Sequence, residues 1–168
     1  MVLPLKRKKV EKKKGRNEIE KAKETVFRFL SYRPRSIEEV RRKLKEKDFS
    51  PHTIKRALAR VEELGYLNDR EYAYTFACSS IENKQWGTLR IRDALLNKGV
   101  SQEIINQTIA RIEEEYDVTQ VAHRALEIKF AHIRYHEKAD EKTRGKAINY
   151  LKRKGFSWDI IYSVITGK

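Results

Sequence analysis

The chain has one cysteine, one methionine and three prolines in 168 residues, and nowhere a run of about 18 apolar residues. A lone Cys78 excludes an intramolecular disulfide, so a reducing cytoplasm is the expected setting. Without a long apolar run no helix is expected to span a membrane, and Met1 to Leu5 is too short for the apolar core of a secretory signal. The seven glycines form neither a Walker loop nor a dinucleotide fingerprint. No segment alternates apolar and polar residues with a sustained period of two, so strands are not expected. No catalytic constellation stands out, and no catalytic residue or cofactor is assigned. Enzyme is the weaker functional class.

What the chain has in excess is positive charge. Its 38 Lys and Arg exceed its 24 Asp and Glu, for a net charge of +14. The pI is near 9.8 and the mean hydropathy is −0.76. Such a balance favours a polyanionic partner or an acidic protein surface. Residues 1–16 hold eight basic side chains and one glutamate, and so carry half of the excess. Residues 69–117 are mildly acidic and residues 118–168 are basic again. The partner is therefore expected to be touched at separated places.

A short phrase occurs three times: Leu44-Lys45-Glu46-Lys47-Asp48-Phe49-Ser50, Leu95-Leu96-Asn97-Lys98-Gly99-Val100-Ser101 and Leu151-Lys152-Arg153-Lys154-Gly155-Phe156-Ser157. Four residues after each serine comes Ile54, Ile105 or Ile161, and four further on another aliphatic, Leu58, Ile109 or Ile165. Repetition at a nearly fixed period marks a repeat architecture. In physical terms, leucine and lysine finish a helix and glycine takes the left-handed position that ends it. The next apolar residue packs the corner, and serine caps the following helix. Pro51 falls where a helix tolerates proline best, and Asp48 stands where the other two copies have glycine.

Helical periodicity extends the corner into units of three helices. In the first, Val26, Phe27, Phe29 and Leu30 end a helix at Tyr32-Arg33-Pro34. Ser36 with Glu39 forms a capping box before Ile37, Val40 and Leu44. A third helix runs from Pro51 and stops at Gly65. The second unit is read as helices over 69–83, 87–98 and 102–115, and the third over 118–138, 142–154 and 158–166. Together these predict an all-α fold, three tandem three-helix repeats stacked through right-angle corners into an elongated, curved array. The segments are a disordered basic tail at 1–16 and repeats at 17–68, 69–117 and 118–168.

Candidate contact residues are the basic groups near the corners. In the first unit they are Arg33, Arg35, Arg41, Arg42 and Lys45, and in the third Lys146, Lys152, Arg153 and Lys154. Such clusters suit phosphates or acidic side chains, although Glu38, Glu39 and Glu46 also allow a solvated, partly neutralised helix face. In the linker, Asn68 or Asp69 is expected to cap the next helix, with Glu71 complementing its positive end. His132 and His136 are spaced as metal ligands on a helix, but Ile133 stands where a zinc protease has glutamate and no further ligand is evident, so no metal is assigned. Cys78, in the apolar stretch Thr75-Phe76-Ala77, reads as core packing. Trp86 and Trp158, beside corners, read as inter-helix packing.

The stretch Gly65-Tyr66-Leu67-Asn68-Asp69-Arg70-Glu71-Tyr72-Ala73 resembles the RecX family, bacterial modulators of the RecA recombinase. The likeness continues through Gly87-Thr88-Leu89-Arg90-Ile91, Leu95, Lys98-Gly99-Val100 and the corner Arg33-Pro34-Arg35-Ser36, and covers about residues 22 to 168. Asp48 departs from the family's usual glycine, and the basic tail is an extension. The resemblance implies a non-enzymatic, cytoplasmic, monomeric protein lying in the groove of the RecA filament on single-stranded DNA. It would dampen ATP hydrolysis and strand exchange in DNA repair and the SOS response, and it leaves room for weak direct DNA binding. A helix-turn-helix reader of duplex DNA is the competing expectation, because Pro51 to Leu64 followed by Gly-Tyr-Leu looks like a recognition helix and its exit.

Overall fold

A computed structural model describes the backbone of residues 5–130 and 140–167, and the side chains of that span from Glu18 onward. Its elements are α1 (Leu5–Leu30), α2 (Ile37–Lys45), α3 (Pro51–Glu63), α4 (Asp69–Lys84), α5 (Thr88–Asn97), α6 (Gln102–Glu115), α7 (Val118–Phe130), α8 (Glu141–Lys154) and α9 (Trp158–Thr166). Among the described residues the secondary structure is helical throughout, with no strand. The expected continuation of the 118–138 helix past Phe130, with His132 and His136, lies outside the described residues.

One expectation is corrected at the N-terminus. The basic run read as disordered is helical backbone, because α1 begins at Leu5 rather than near Asn17. Lysine, arginine and glutamate are good helix formers, and the run contains no proline after Pro4. Absence of an apolar stripe is therefore compatible with a helical conformation here.

The chain divides into two compact units, residues 1–72 and 73–168. In the first, α1 and α2 both pack on α3. Ala22 and Val26 of α1, Val40 and Leu44 of α2, and Ile54, Ala57, Leu58 and Val61 of α3 form its core with Leu67. The spacings of three and four residues put each set on one helix face. Each fully buried Val, Leu or Ile contributes about 1.5–3 kcal/mol over an exposed one.

The repeated corner is built as its residues imply. Asp48, Gly99 and Gly155 all lie in the left-handed region, with φ of 58°, 77° and 84°. In each copy the following apolar residue donates its N–H back to the leucine carbonyl that opens the phrase: Phe49 to Leu44 (3.3 Å), Val100 to Leu95 (3.1 Å) and Phe156 to Leu151 (3.2 Å). This six-to-one bond is the closure that a left-handed C-cap permits. Ser50 Oγ accepts from Thr53 N–H and Ser101 Oγ from Ile104 N–H. Ser157 has the extended N-cap backbone but accepts no such bond, so the third cap is backbone only.

Asp48 bears the steric cost that glycine avoids at the equivalent corners. Asp48→Gly is expected to stabilise the first unit by about 0.5 kcal/mol, the relief of left-handed strain less the added freedom of the unfolded chain. Asp48→Ala should destabilise it. Denaturation midpoints of the two variants decide the matter, and a loss with glycine would assign the aspartate side chain a holding role.

In the second unit α7, α8 and α9 enclose Ala122, Ala125, Leu126, Ala147, Leu151, Phe156, Ile161, Val164 and Ile165. The second and third repeats meet end to end within this unit. At the N-terminus of α5, Gly87 N–H donates to Lys154 C=O (2.8 Å) and Leu89 N–H to Gly155 C=O (3.1 Å). Amides left over at the start of one helix thus satisfy carbonyls left over at the end of another. Arg90 Nη1 donates to Arg153 C=O (2.8 Å) and Lys154 Nζ to Lys84 C=O (2.6 Å), crossing the seam in both directions.

Candidate functional site

Two basic regions were expected to face a partner, and their arginines and lysines divide into held and accessible groups. Glu39, on the first turn of α2, is the hub of the first region. Its Oε1 accepts from Arg33 Nη2 at 2.8 Å and lies 3.7 Å from Arg35 Nη1. Its Oε2 accepts from Ser36 N–H and from the Tyr72 hydroxyl, both at 3.1 Å. The Arg35 guanidinium also lies 4.1 Å from the centre of the Phe29 ring, and its side chain is only 15% exposed. Burial, then the Glu39 charge and hydrogen bond, push the Tyr72 hydroxyl up to about 12. Arg33 is raised above its ordinary value, chiefly by its bond to Glu39. Arg33 and Arg35 thus both pair with Glu39 at the entry of α2, Arg35 largely buried and Arg33 exposed.

The linker residues join the same cluster. Asn68 Oδ1 caps α4 by accepting from the N–H groups of Arg70 and Glu71. Asp69 turns away and accepts from Ile37 N–H at 2.9 Å, at the positive end of α2. Burial raises the Asp69 carboxyl above its usual range, with the charges of Glu39 and Glu38 adding to it.

Arg41 and Arg42 share Glu38, at 3.0 and 3.4 Å. Both pairs are partly exposed, and pairs open to solvent contribute only about 0–1 kcal/mol. Lys45 is exposed and joins Arg41 and Asp48 on an open groove of about 440 Å³ at the first corner. The sequence reading missed Lys55 and Arg56, both exposed on α3. The signal was present: they fall opposite the buried Ile54, Ala57, Leu58 and Val61.

In the third repeat Lys146, Lys152 and Arg153 are exposed, whereas Lys154 is half-buried in the seam described above. Lys154, a candidate contact residue, thus also makes a bond within the fold. Trp86 is partly buried, edge-on to Phe76 with the Arg90 guanidinium 4.4 Å from its centre, as expected of a packing residue. Trp158 is not: it is 59% exposed, with Lys152 Nζ 4.3 Å from its ring centre. Tyr162, one turn on, is 62% exposed. The core of α9 uses positions 161, 164 and 165, which leaves 158 and 162 on the neighbouring stripe.

The acidic middle repeat is braced internally. Tyr74 donates to Glu115 (2.6 Å) and Tyr116 to Glu82 (2.6 Å), tying two places on α4 to the C-terminal end of α6. Arg111 bonds Glu115 (2.7 Å) and lies 3.6 Å from the Tyr74 ring centre. The bond to Glu115 pushes Tyr74 up to about 12, and Glu115 is lowered by its bonds from Tyr74 and Arg111. The bond to Glu82 raises Tyr116, and half-buried Cys78 adds to the rise of both Tyr116 and Tyr74.

Comparison with known proteins gives these elements a common context. Three family models, described as the first, second and third three-helix domains of RecX, match residues 22–60, 68–109 and 115–165 in order. Over 140 residues the chain is 31% identical to regulatory protein RecX of Pelodictyon phaeoclathratiforme, covering 83% of this chain and 84% of that one. The RecX protein of Chlorobaculum tepidum is also 31% identical over 140 residues, with 83% of each chain covered. Among solved structures, a crystal structure of regulatory protein RecX shares the fold with a TM-score of 0.78 at 20% identity, covering 98% of this chain and 78% of that one. RecX from Lactobacillus salivarius does so with a TM-score of 0.72 at 24% identity, covering 89% and 95%. On these matches, with all three domains present in sequence, the chain belongs to the RecX family.

Proposed function

We propose that the chain is a non-enzymatic regulator that binds the RecA filament on single-stranded DNA and lowers its ATPase, strand-exchange and coprotease activities. It acts as a monomer in the bacterial cytoplasm, within DNA repair and the SOS response. The observation that carries this reading is the ordered match to three RecX domains, whose relatives bear the name regulatory protein. The charge distribution supports it. Exposed cations occur on the first and third repeats, with an acidic repeat between, which suits a composite partner of nucleic acid and protein. Binding an assembled filament more tightly than its parts shifts the balance among filament states, and a protein without catalytic groups regulates an enzyme in that way.

A duplex-reading function has one observation of its own, the exposed Lys55 and Arg56 on α3, the second helix of a helix-turn-helix-like corner. One experiment separates the two. Added to RecA on single-stranded DNA, the chain is expected to lower steady-state ATP hydrolysis and to bind the filament in preference to bare duplex. Unchanged ATPase together with a footprint on one duplex sequence would overturn the filament reading and establish the other.

A further inference from the structure

We propose that Trp158 and Tyr162, with Lys152 beside them, form a stacking platform for the bases of single-stranded DNA. The two rings are four residues apart on α9, so they stand on one face about a helical turn from each other. Both are more than half exposed, although neighbouring Ile161 and Ile165 are buried. They flank an open groove of about 260 Å³ whose floor includes Ile148, Ile161 and Ile165. Packing alone does not account for two large aromatic rings left in water on an otherwise well-filled helix, and such paired exposure marks a binding surface.

Charge decides what the surface takes. Lys152 Nζ lies 4.3 Å from the Trp158 ring centre, and Arg153 is exposed next to it in sequence. Asp159 is the acidic side chain on the groove. Aromatic faces joined to cations suit a strand that offers flat bases and phosphates at short intervals, and each stacked base adds appreciably to affinity without regard to sequence. The choice of DNA over RNA rests on the recombinase reading above. The platform itself does not need that reading, because it is tested on the chain alone.

The test uses the full-length chain and a fluorescein-labelled oligo(dT) of about 15 nucleotides, with anisotropy read at several salt concentrations. An abasic strand of equal length and charge and an oligo(U) serve as comparisons. Trp158→Ala is expected to weaken oligo(dT) binding roughly tenfold while Trp158→Phe keeps most of it. The abasic strand should bind about as weakly to the parent as oligo(dT) does to Trp158→Ala. Lys152→Gln should reduce the salt slope by about 0.7, one phosphate contact on a single strand. Equal binding of oligo(dT) by parent and Trp158→Ala, with both folded by circular dichroism, overturns the platform. So does equal binding of the abasic strand. A Trp158→Ala variant that loses RecA binding in the absence of DNA but keeps oligo(dT) binding assigns the surface to a protein partner instead. Tighter binding of oligo(U) than oligo(dT) overturns the choice of DNA. Failure of the filament reading shows separately, as unchanged RecA ATPase with the parent chain.

Discussion

Gly87→Ala is expected to destabilise the second unit by about 3 kcal/mol, lowering its thermal transition by on the order of 15 °C. A β-carbon at Gly87 would overlap the carbonyl of Gly155 and the amide nitrogen of Phe156, all backbone atoms. No side-chain rotation relieves that overlap, so the seam between α5 and α8 must open. Opening it strains or breaks the bonds from Gly87 N–H to Lys154 and from Leu89 N–H to Gly155, each worth about 1 kcal/mol net. It also disturbs the crossing bonds of Arg90 and Lys154. Gly155→Ala should be at least as damaging. There the new carbon meets the backbone of Arg90, and φ is +84° besides.

Two other glycines supply the controls. Gly145 lies within α8 with open space around the position of a β-carbon, so Gly145→Ala should stabilise by about 0.5–1 kcal/mol. Gly65 has equally open space but φ of +76°, so Gly65→Ala should cost about 1 kcal/mol from backbone strain alone. Urea midpoints for the four variants test close approach against conformation. If Gly87→Ala cost no more than Gly65→Ala, the seam would be shown to yield easily.

The seam also shows which parts of this fold the sequence makes legible. The corner phrase could be read directly, because a left-handed C-cap, its six-to-one bond and a serine N-cap involve residues within a few positions of one another. The motif Gly87-Thr88-Leu89-Arg90-Ile91 could be matched to a family but not explained. Its reason lies at Arg153, Lys154 and Gly155, more than 60 residues away, where Gly87 admits a carbonyl and Arg90 reaches another. Lys154 illustrates the same limit for the candidate contact residues. Within Lys152-Arg153-Lys154 the three cations look equivalent, but one faces Lys84, one stands by Trp158 and one is exposed.

Trp158 was misread for a different reason. Its place beside a corner suggested inter-helix packing, and a residue three positions before the core Ile161 also lies near that residue's helix face. Which of two adjacent stripes is covered depends on the neighbouring helices. Arg33 and Arg35 show what charge alone leaves out. Their charge suggested a solvent-facing role, but Glu39, already recognisable as the capping-box residue, accepts from or pairs with both.

Glu39→Ala is expected to cost the first unit about 3 kcal/mol, with a fall in its thermal transition on the order of 15 °C. The substitution removes the reciprocal half of the capping box, since the Ser36 N–H loses its carboxylate acceptor. It removes one acceptor of Tyr72, which is only 8% exposed, and one of Arg33. Above all it leaves Arg35, pressed on Phe29, without the nearby carboxylate, and an uncompensated, largely buried charge is the costliest of these losses. Glu39→Gln keeps an acceptor and the helix cap but not the charge, so its cost should be roughly half as large.

The same variant has a spectroscopic signature that simple loss of packing lacks. Tyr72 titrates near 12 because burial and the Glu39 carboxylate both oppose the phenolate. Its native value therefore lies above its unfolded one, near 10. The unfolded chain releases that proton first, so this group's contribution to stability is intact below pH 10 and declines from there to about pH 12. In folded Glu39→Gln the opposing charge is gone, and Tyr72 should ionise earlier, though burial still holds it above 10. Absorbance at about 295 nm, followed between pH 9 and 12 against the parent, reads that change directly. An unaltered tyrosine titration in a folded Glu39→Gln variant would mean that burial alone sets Tyr72, and that Glu39 matters to the first unit as a cap rather than as the charge that gathers Arg33, Arg35 and Tyr72 around the start of α2.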